Sequence, residues 1–378
     1  MGLLNAMPGR GKLLITLCVL APLALFSIGV EHETASQREK PTANGKTRST
    51  PAPALAPRMR IGRAGNRPDI PLLPDLTDTA IRQDYYDRLL SKGSKTLWSL
   101  WTRYLDSSDP NETMAWQLAG EALSLRLRAD APNTVLQAIA TALEDPSASE
   151  ALRQQLPPML GRSATPRTLG ILLARTREES DPEQRRQYHE AIWIAANTRW
   201  NDRFHPELSP PLETAWSQQR QGSQPSTLNT LASAIARIGA NSGVELLLDA
   251  LANGGSLDEI GADKSPDVLT AAQALATVRN PAAVPLLHNR LMQAEVGTPI
   301  YLASGNALAN IGGEAATQAL LDWARIASDD SAGLARRWFS RIRDTASMEA
   351  ATRFLDDKTI ALSPAIREAI SVALGQGG

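Results

Sequence analysis

One cysteine, four histidines and an aromatic share of 4% set the first limits on this 378-residue chain. Cys18 lies inside an apolar N-terminal run, so the remainder has no disulfide and no thiolate chemistry. The histidines (His32, His189, His205 and His288) are spread too widely for a ligand set. His189-Glu190 opens like a zinc-protease motif, which needs two imidazoles one helical turn apart, but Trp193 occupies the fifth position. No metal and no cofactor is expected. The chain also lacks GxSxG, a P-loop and a dinucleotide fingerprint. Gly261 to Ser265 ends in Lys264-Ser265 without the glycine spacing that would cradle a phosphate. The 39 basic and 40 acidic residues leave a net charge of −1, so no global field draws nucleic acid. No catalytic residue is nominated, and an enzyme ranks last among the functions considered.

What is present is alanine and leucine. They carry most of the 43% hydrophobic share, a bias that suits close-packed helices better than a sheet core. Arg10 and Lys12 precede an uncharged run from Leu13 to Val30. As a helix, those residues would span about 27 Å, just enough for a bilayer core. Residues 1–30 therefore read as a membrane anchor, with a cleaved signal peptide as the alternative. Leu17 before Cys18 argues against lipidation. Arg10 and Lys12 favour a cytoplasmic N-terminus and hence an extracytoplasmic body, the periplasm in a bacterium. Residues 31–75 are rich in proline and carry eight basic residues, Arg38 to Arg67. They read as a disordered linker, with contact to lipid headgroups or an anionic polymer as the sharper alternative.

From Asp78 the pattern becomes helical, with short amphipathic stretches punctuated by turns such as Asp109-Pro110-Asn111 and Ser163-Ala164-Thr165-Pro166. Trp98 and Trp101 share a helix face and are expected in the core. Residues 76–225 form an irregular helical region, expected as the N-terminal part of a solenoid. Over 226–378 a helix-pair pattern returns. Ile238, Val278, Ile311 and Ile342 close the first helices, at intervals of 40, 33 and 31 residues. Val244, Val284, Thr317 and Met348 follow six residues on, and Leu251, Leu291, Ala324 and Leu355 thirteen on. Ser363 and Pro364 open a C-terminal capping helix.

The segments SAIARIGANSGVELLLDAL, AQALATVRNPAAVPLLHNRL and GNALANIGGEAATQALLDWA resemble HEAT repeats, in particular the short HEAT-like type of bacterial proteins. The resemblance covers about 226–357 and is faint over 112–200. It implies an all-α fold, an α-solenoid of stacked helix pairs, and a role in binding proteins or scaffolding. Some members are lyases acting on bilins, but the body has no cysteine to hold one. The fourth unit departs from the pattern, with Arg341, Arg343 and Asp344 at its turn in place of glycine.

Two stretches are candidates for partner contact. Arg336, Arg337, Trp338, Arg341 and Arg343 combine the residue types enriched at binding hot spots, and could grip an acidic protein segment or an anionic glycan. The competing assignment buries Trp338 and pairs the arginines with Asp329, Asp330 or Asp344. The second stretch, Thr198 to Pro211, is a long irregular connection bearing Trp200 and Phe204. The leading expectation is a membrane-anchored scaffold for a protein partner in an envelope complex, with membrane contact through residues 13–30. The alternative is a cell-wall or anionic-glycan binding module.

Overall fold

The computed structural model describes residues 73–130, 132–145, 147–199, 203–219, 224–252 and 266–375. The expected anchor and nearly all of the linker lie outside these residues, as does Trp200. Among the described residues no helix is long and apolar enough to cross a membrane.

Among the described residues the regular elements are α-helices and three short 3-10 turns, Pro206–Leu208, Pro281–Ala283 and Asp329–Ser331. In order the α-helices are α1 (Thr79–Leu90), α2 (Ser94–Tyr104), α3 (Pro110–Ala129), α4 (Asn133–Glu144), α5 (Glu150–Ser163) and α6 (Pro166–Glu178). Next come α7 (Pro182–Asn197), α8 (Ser209–Gln219), α9 (Pro225–Ile238), α10 (Asn241–Ala252), α11 (Pro266–Leu275) and α12 (Val284–Gln293). The last five are α13 (Pro299–Ile311), α14 (Gly313–Ala324), α15 (Ala332–Phe339), α16 (Thr345–Asp356) and α17 (Pro364–Ala373).

Local chemistry sets their ends. Asp109 accepts from the N–H groups of Asn111 and Glu112, and Pro110 stands where its missing donor costs nothing. Thr165 and Thr168 cap α6 reciprocally, Asp344 caps α16, and Ser363 caps α17 as its sequence predicts. Helix α5 runs through Pro157 and Pro158, which withhold two interior donors. The Arg153 carbonyl that Pro157 cannot serve accepts instead from the Gln184 side chain of α7, at 3.4 Å.

The helices alternate between two layers. Odd-numbered helices pack on odd-numbered ones from α1 to α17, and even-numbered helices form the second row behind them. Hydrogen bonds between units carry the period independently of the apolar pattern. Arg126 reaches the Leu90 carbonyl 36 residues away, Arg128 that of Ala164 at 36, and Asn280 that of Ile238 at 42. Asn310 reaches the Ala276 carbonyl at 34. The apolar core runs without interruption from Leu89 to Ile370, so stacking removes from water the faces that no helix pair could cover alone.

Of the twelve positions aligned in the four repeats, ten are buried and Ile311 is half-buried. Met348 departs from the expected core role and is 37% exposed. The reason is position, because α16 ends its layer. Helix α17 covers α15 in the first layer, and Met348 is left on an open surface with Thr345, Glu349 and Thr352.

The four units close on an aromatic cluster. Trp323 of α14 donates to the Tyr301 hydroxyl at 2.7 Å, and its ring meets Trp338 edge-on at 4.6 Å. The Trp338 Nε1–H donates to the Asn306 side chain at 3.2 Å. Its indole lies so tightly on α13 that a Cβ at Gly305 would stand 2.1 Å from the ring. Trp101 plays a similar part near the other end and is buried as expected, while Trp98, stacked on it at 5.6 Å, is half-buried against the core.

Candidate partner-binding surface

Trp338 is fully buried between α13 and α14, so this member of the expected cluster is a core residue with nothing to offer a partner. The apolar register explains it: the indole fills the space that Gly305 leaves open. The arginines behave differently. Arg336, Arg337 and Arg343 are exposed and Arg341 is half-buried. Of the carboxylates proposed as their counterions, Asp330 is exposed and forms no ion pair among the described residues, and the other two are engaged elsewhere. Asp344 accepts from the Ser347 N–H at 2.8 Å, and Asp329 accepts from the Ser363 hydroxyl. Asp344 is held below the usual carboxylate range chiefly by hydrogen bonding from Ser347.

Phe204, from the connection between α7 and α8, is half-buried under the Arg199 guanidinium, 3.8 Å from the ring centroid. That contact is a close cation–π pair. It ties Phe204 to an arginine that sequence reasoning did not nominate.

Arg199 begins a series. The odd-numbered helices α7, α9, α11, α13 and α15 all end on one edge of the stack, and a polar side chain stands at each end: Arg199, Arg237, Arg279, Asn310 and Arg341. Helix C-termini present unsatisfied carbonyls and the negative pole of the helix dipole, which draws cations there. Arg199 donates to the Ala196 carbonyl at 3.3 Å and Arg279 to that of Val278 at 3.2 Å. Arg341 donates to the Asn310 side chain at 3.0 Å, while Asn310 donates to the Ala276 carbonyl at 2.5 Å.

Like charges are neighbours along this edge. Burial lowers the pKa of Arg199 and of Arg279, and in both cases the Arg237 charge lowers it further. Arg341 is lowered by burial, then by Arg337, then by Arg279. Arg199, Arg237, Arg279, Arg337, Arg341 and Arg343 take part in no ion pair among the described residues. Those pairs form elsewhere, as in Arg175–Glu144 and Arg290–Glu245. The half-buried Arg237 also keeps its Nε–H without an acceptor.

Beyond α7 the strip meets His205, which is buried. Arg128 Nη2 lies 3.0 Å from its Nδ1, and Glu207 Oε1 lies 3.1 Å from that same atom. Burial lowers the His205 pKa most, and the Arg128 charge adds to it. Among the described residues no group of three His, Cys, Asp or Glu side chains is placed to hold a metal ion. The signal for the arginine strip was present in the sequence. Arg237 precedes the first repeat anchor, Arg279 follows the second and Arg341 precedes the fourth. Read singly they are surface arginines, and only the stacked helices make them one edge.

No family model matches the chain, and no curated protein matches it. Among solved structures, human deoxyhypusine hydroxylase in complex with glycerol is similar at 17% identity. The match covers 75% of this chain and 96% of that one, with a TM-score of 0.26. An overlap of that size carries no argument about activity.

Proposed function

We propose that this chain is a HEAT-like helical-repeat scaffold that holds a protein partner against the edge formed by the C-termini of its odd-numbered helices. The observation that carries this reading is the run of arginines there that form no ion pair among the described residues. An unpaired arginine that is partly withdrawn from water has lost hydration without gaining a carboxylate, and an incoming acceptor recovers that loss. The repeat architecture supports the reading, since stacked helix pairs offer a long continuous surface. The sequence of residues 13–30 supports attachment of this scaffold to a membrane, with the helical body outside the cytoplasm.

Cross-linking and co-purification of the full-length chain from native membranes test the proposal, with partners identified by mass spectrometry. One stoichiometric protein partner that survives detergent and moderate salt supports it. Retention on cell-wall material with no protein partner refutes it in favour of glycan binding.

A further inference from the structure

The strip has a spacing as well as a sign. Packed helix axes lie about 8–10 Å apart, so the tips of α7, α9, α11, α13 and α15 recur at roughly that interval. An extended polypeptide advances about 3.3 Å per residue, so every third side chain recurs at about 10 Å. Four such steps, from Arg199 to Arg341 with Asn310 in place of an arginine at the α13 tip, match roughly 13 residues of extended chain. We propose that Arg199, Arg237, Arg279, Arg341 and Arg337 form a docking strip for an extended acidic segment of a protein partner, with a carboxylate at about every third residue. This inference rests on the scaffold reading and adds the chemistry of the bound segment.

Three observations favour that occupant. Helix-end carbonyls engage one guanidinium nitrogen each of Arg199 and Arg279, and the Asn310 side chain one of Arg341, while the buried Arg237 Nε–H has no acceptor. The chain's own N-terminal segment has the wrong charge for the strip, carrying ten basic and four acidic residues before residue 73. The helical body that remains is net acidic, so a long polyanion is repelled over most of its length. A short segment on the strip feels chiefly the arginines within a Debye length of about 10 Å. An anionic sugar chain would seek an open aromatic face, and Phe204 beside the strip is already covered by Arg199.

The test uses the full-length chain in detergent and fluorescein-labelled 13-residue peptides in a Gly/Ser background, read by fluorescence anisotropy. One peptide carries Glu at every third position, a second carries the same five Glu residues consecutively, and a third has Gln in their place. We expect the spaced peptide to bind at least tenfold tighter than the Gln peptide and severalfold tighter than the clustered one. The double variant Arg279→Gln/Arg337→Gln, both at exposed sites, should weaken it at least tenfold while the far-ultraviolet circular dichroism stays unchanged. Equal affinity for the Glu and Gln peptides, or no response to the double variant, overturns the proposal. Tighter binding of inorganic polyphosphate or heparin than of the spaced peptide overturns it too, by reassigning the strip to a polyanion. Cross-linking of the double variant separates this inference from its premise. A partner still recovered while peptide binding is unchanged by the variant leaves the scaffold standing and removes the strip. No protein partner recovered from the wild-type chain, with spaced-peptide binding intact, removes the scaffold and keeps the strip.

Discussion

Substituting Gly305 by alanine tests the packing that holds the C-terminal units together. The new Cβ would lie 2.1, 2.3 and 2.5 Å from three atoms of the Trp338 ring, where ordinary contact begins near 3.4 Å. To relieve this the indole must retreat by about 1.3 Å. It has nowhere to go, being fully buried, 4.6 Å from Trp323 and hydrogen-bonded to Asn306. Overpacking of this kind costs about 1–3 kcal/mol, and the rigid ring places it at the upper end. Alanine in the interior of α13 regains up to about 1 kcal/mol of helix propensity, leaving a net loss of about 2 kcal/mol. Gly170 supplies the control. It sits inside α6 with nothing within 4 Å of its hypothetical Cβ, so Gly170→Ala should gain about 0.5–1 kcal/mol. Urea unfolding followed by tryptophan fluorescence measures both variants, and near-ultraviolet circular dichroism reports the Trp323–Trp338 pair directly. If Gly305→Ala proves as benign as Gly170→Ala, α13 and α15 do not meet through this indole, and the arrangement that sets Arg341 against Asn310 is wrong.

Three further outcomes follow from named contacts. Asn310→Ala removes the donor to the Ala276 carbonyl and the acceptor of Arg341, and should cost about 1–3 kcal/mol in the same urea assay. Asp344→Ala removes the cap of α16 and should cost about 0.5–2 kcal/mol, with Asp344→Ser retaining most of the wild-type stability. Because the Asp344 pKa is lowered on folding, its contribution is present above the unfolded carboxylate value and is lost as pH falls through the folded one; the alanine variant should lose less stability on acidification. The depressed His205 pKa works at milder pH. The unfolded chain binds the proton more readily, so stability should decline as pH falls through about 6.5, and His205→Gln should flatten that part of the pH–stability curve.

The repeats were legible because their signals are local. The proline-marked turns and the recurring apolar triplets each follow from what neighbouring residues can do. Ser363-Pro364 and Thr165-Pro166 mark helix starts by capping chemistry alone, and the structure places both where that chemistry requires. In the N-terminal half the resemblance was faint for an equally physical reason. There, as in the later units, side chains bond to the preceding or following unit's backbone, such as Arg126 to Leu90 and Ser94 to Asp130. Such bonds leave no periodic hydrophobic mark.

The candidate site was legible only in part, and its two errors share a cause. Trp338 and the arginines beside it form one short sequence motif, which invites treatment as one surface. Helix geometry divides them, because Trp338 turns toward Gly305 while Arg336 and Arg337 face water. The converse holds for Arg199, Arg237, Arg279 and Arg341, which lie 38, 42 and 62 residues apart in order along the chain yet share an edge. In a stacked fold, neighbours in sequence tend to part between core and surface, and residues one or two repeats apart come together. The informative unit for function is therefore the repeat position rather than the contiguous motif. Reading the residues beside each anchor as a column groups Arg237, Arg279 and Arg341, provided that like charges in that column count as a feature and not as scattered solvation, whereas Arg199 lies before the anchored repeats and joins them only through stacking.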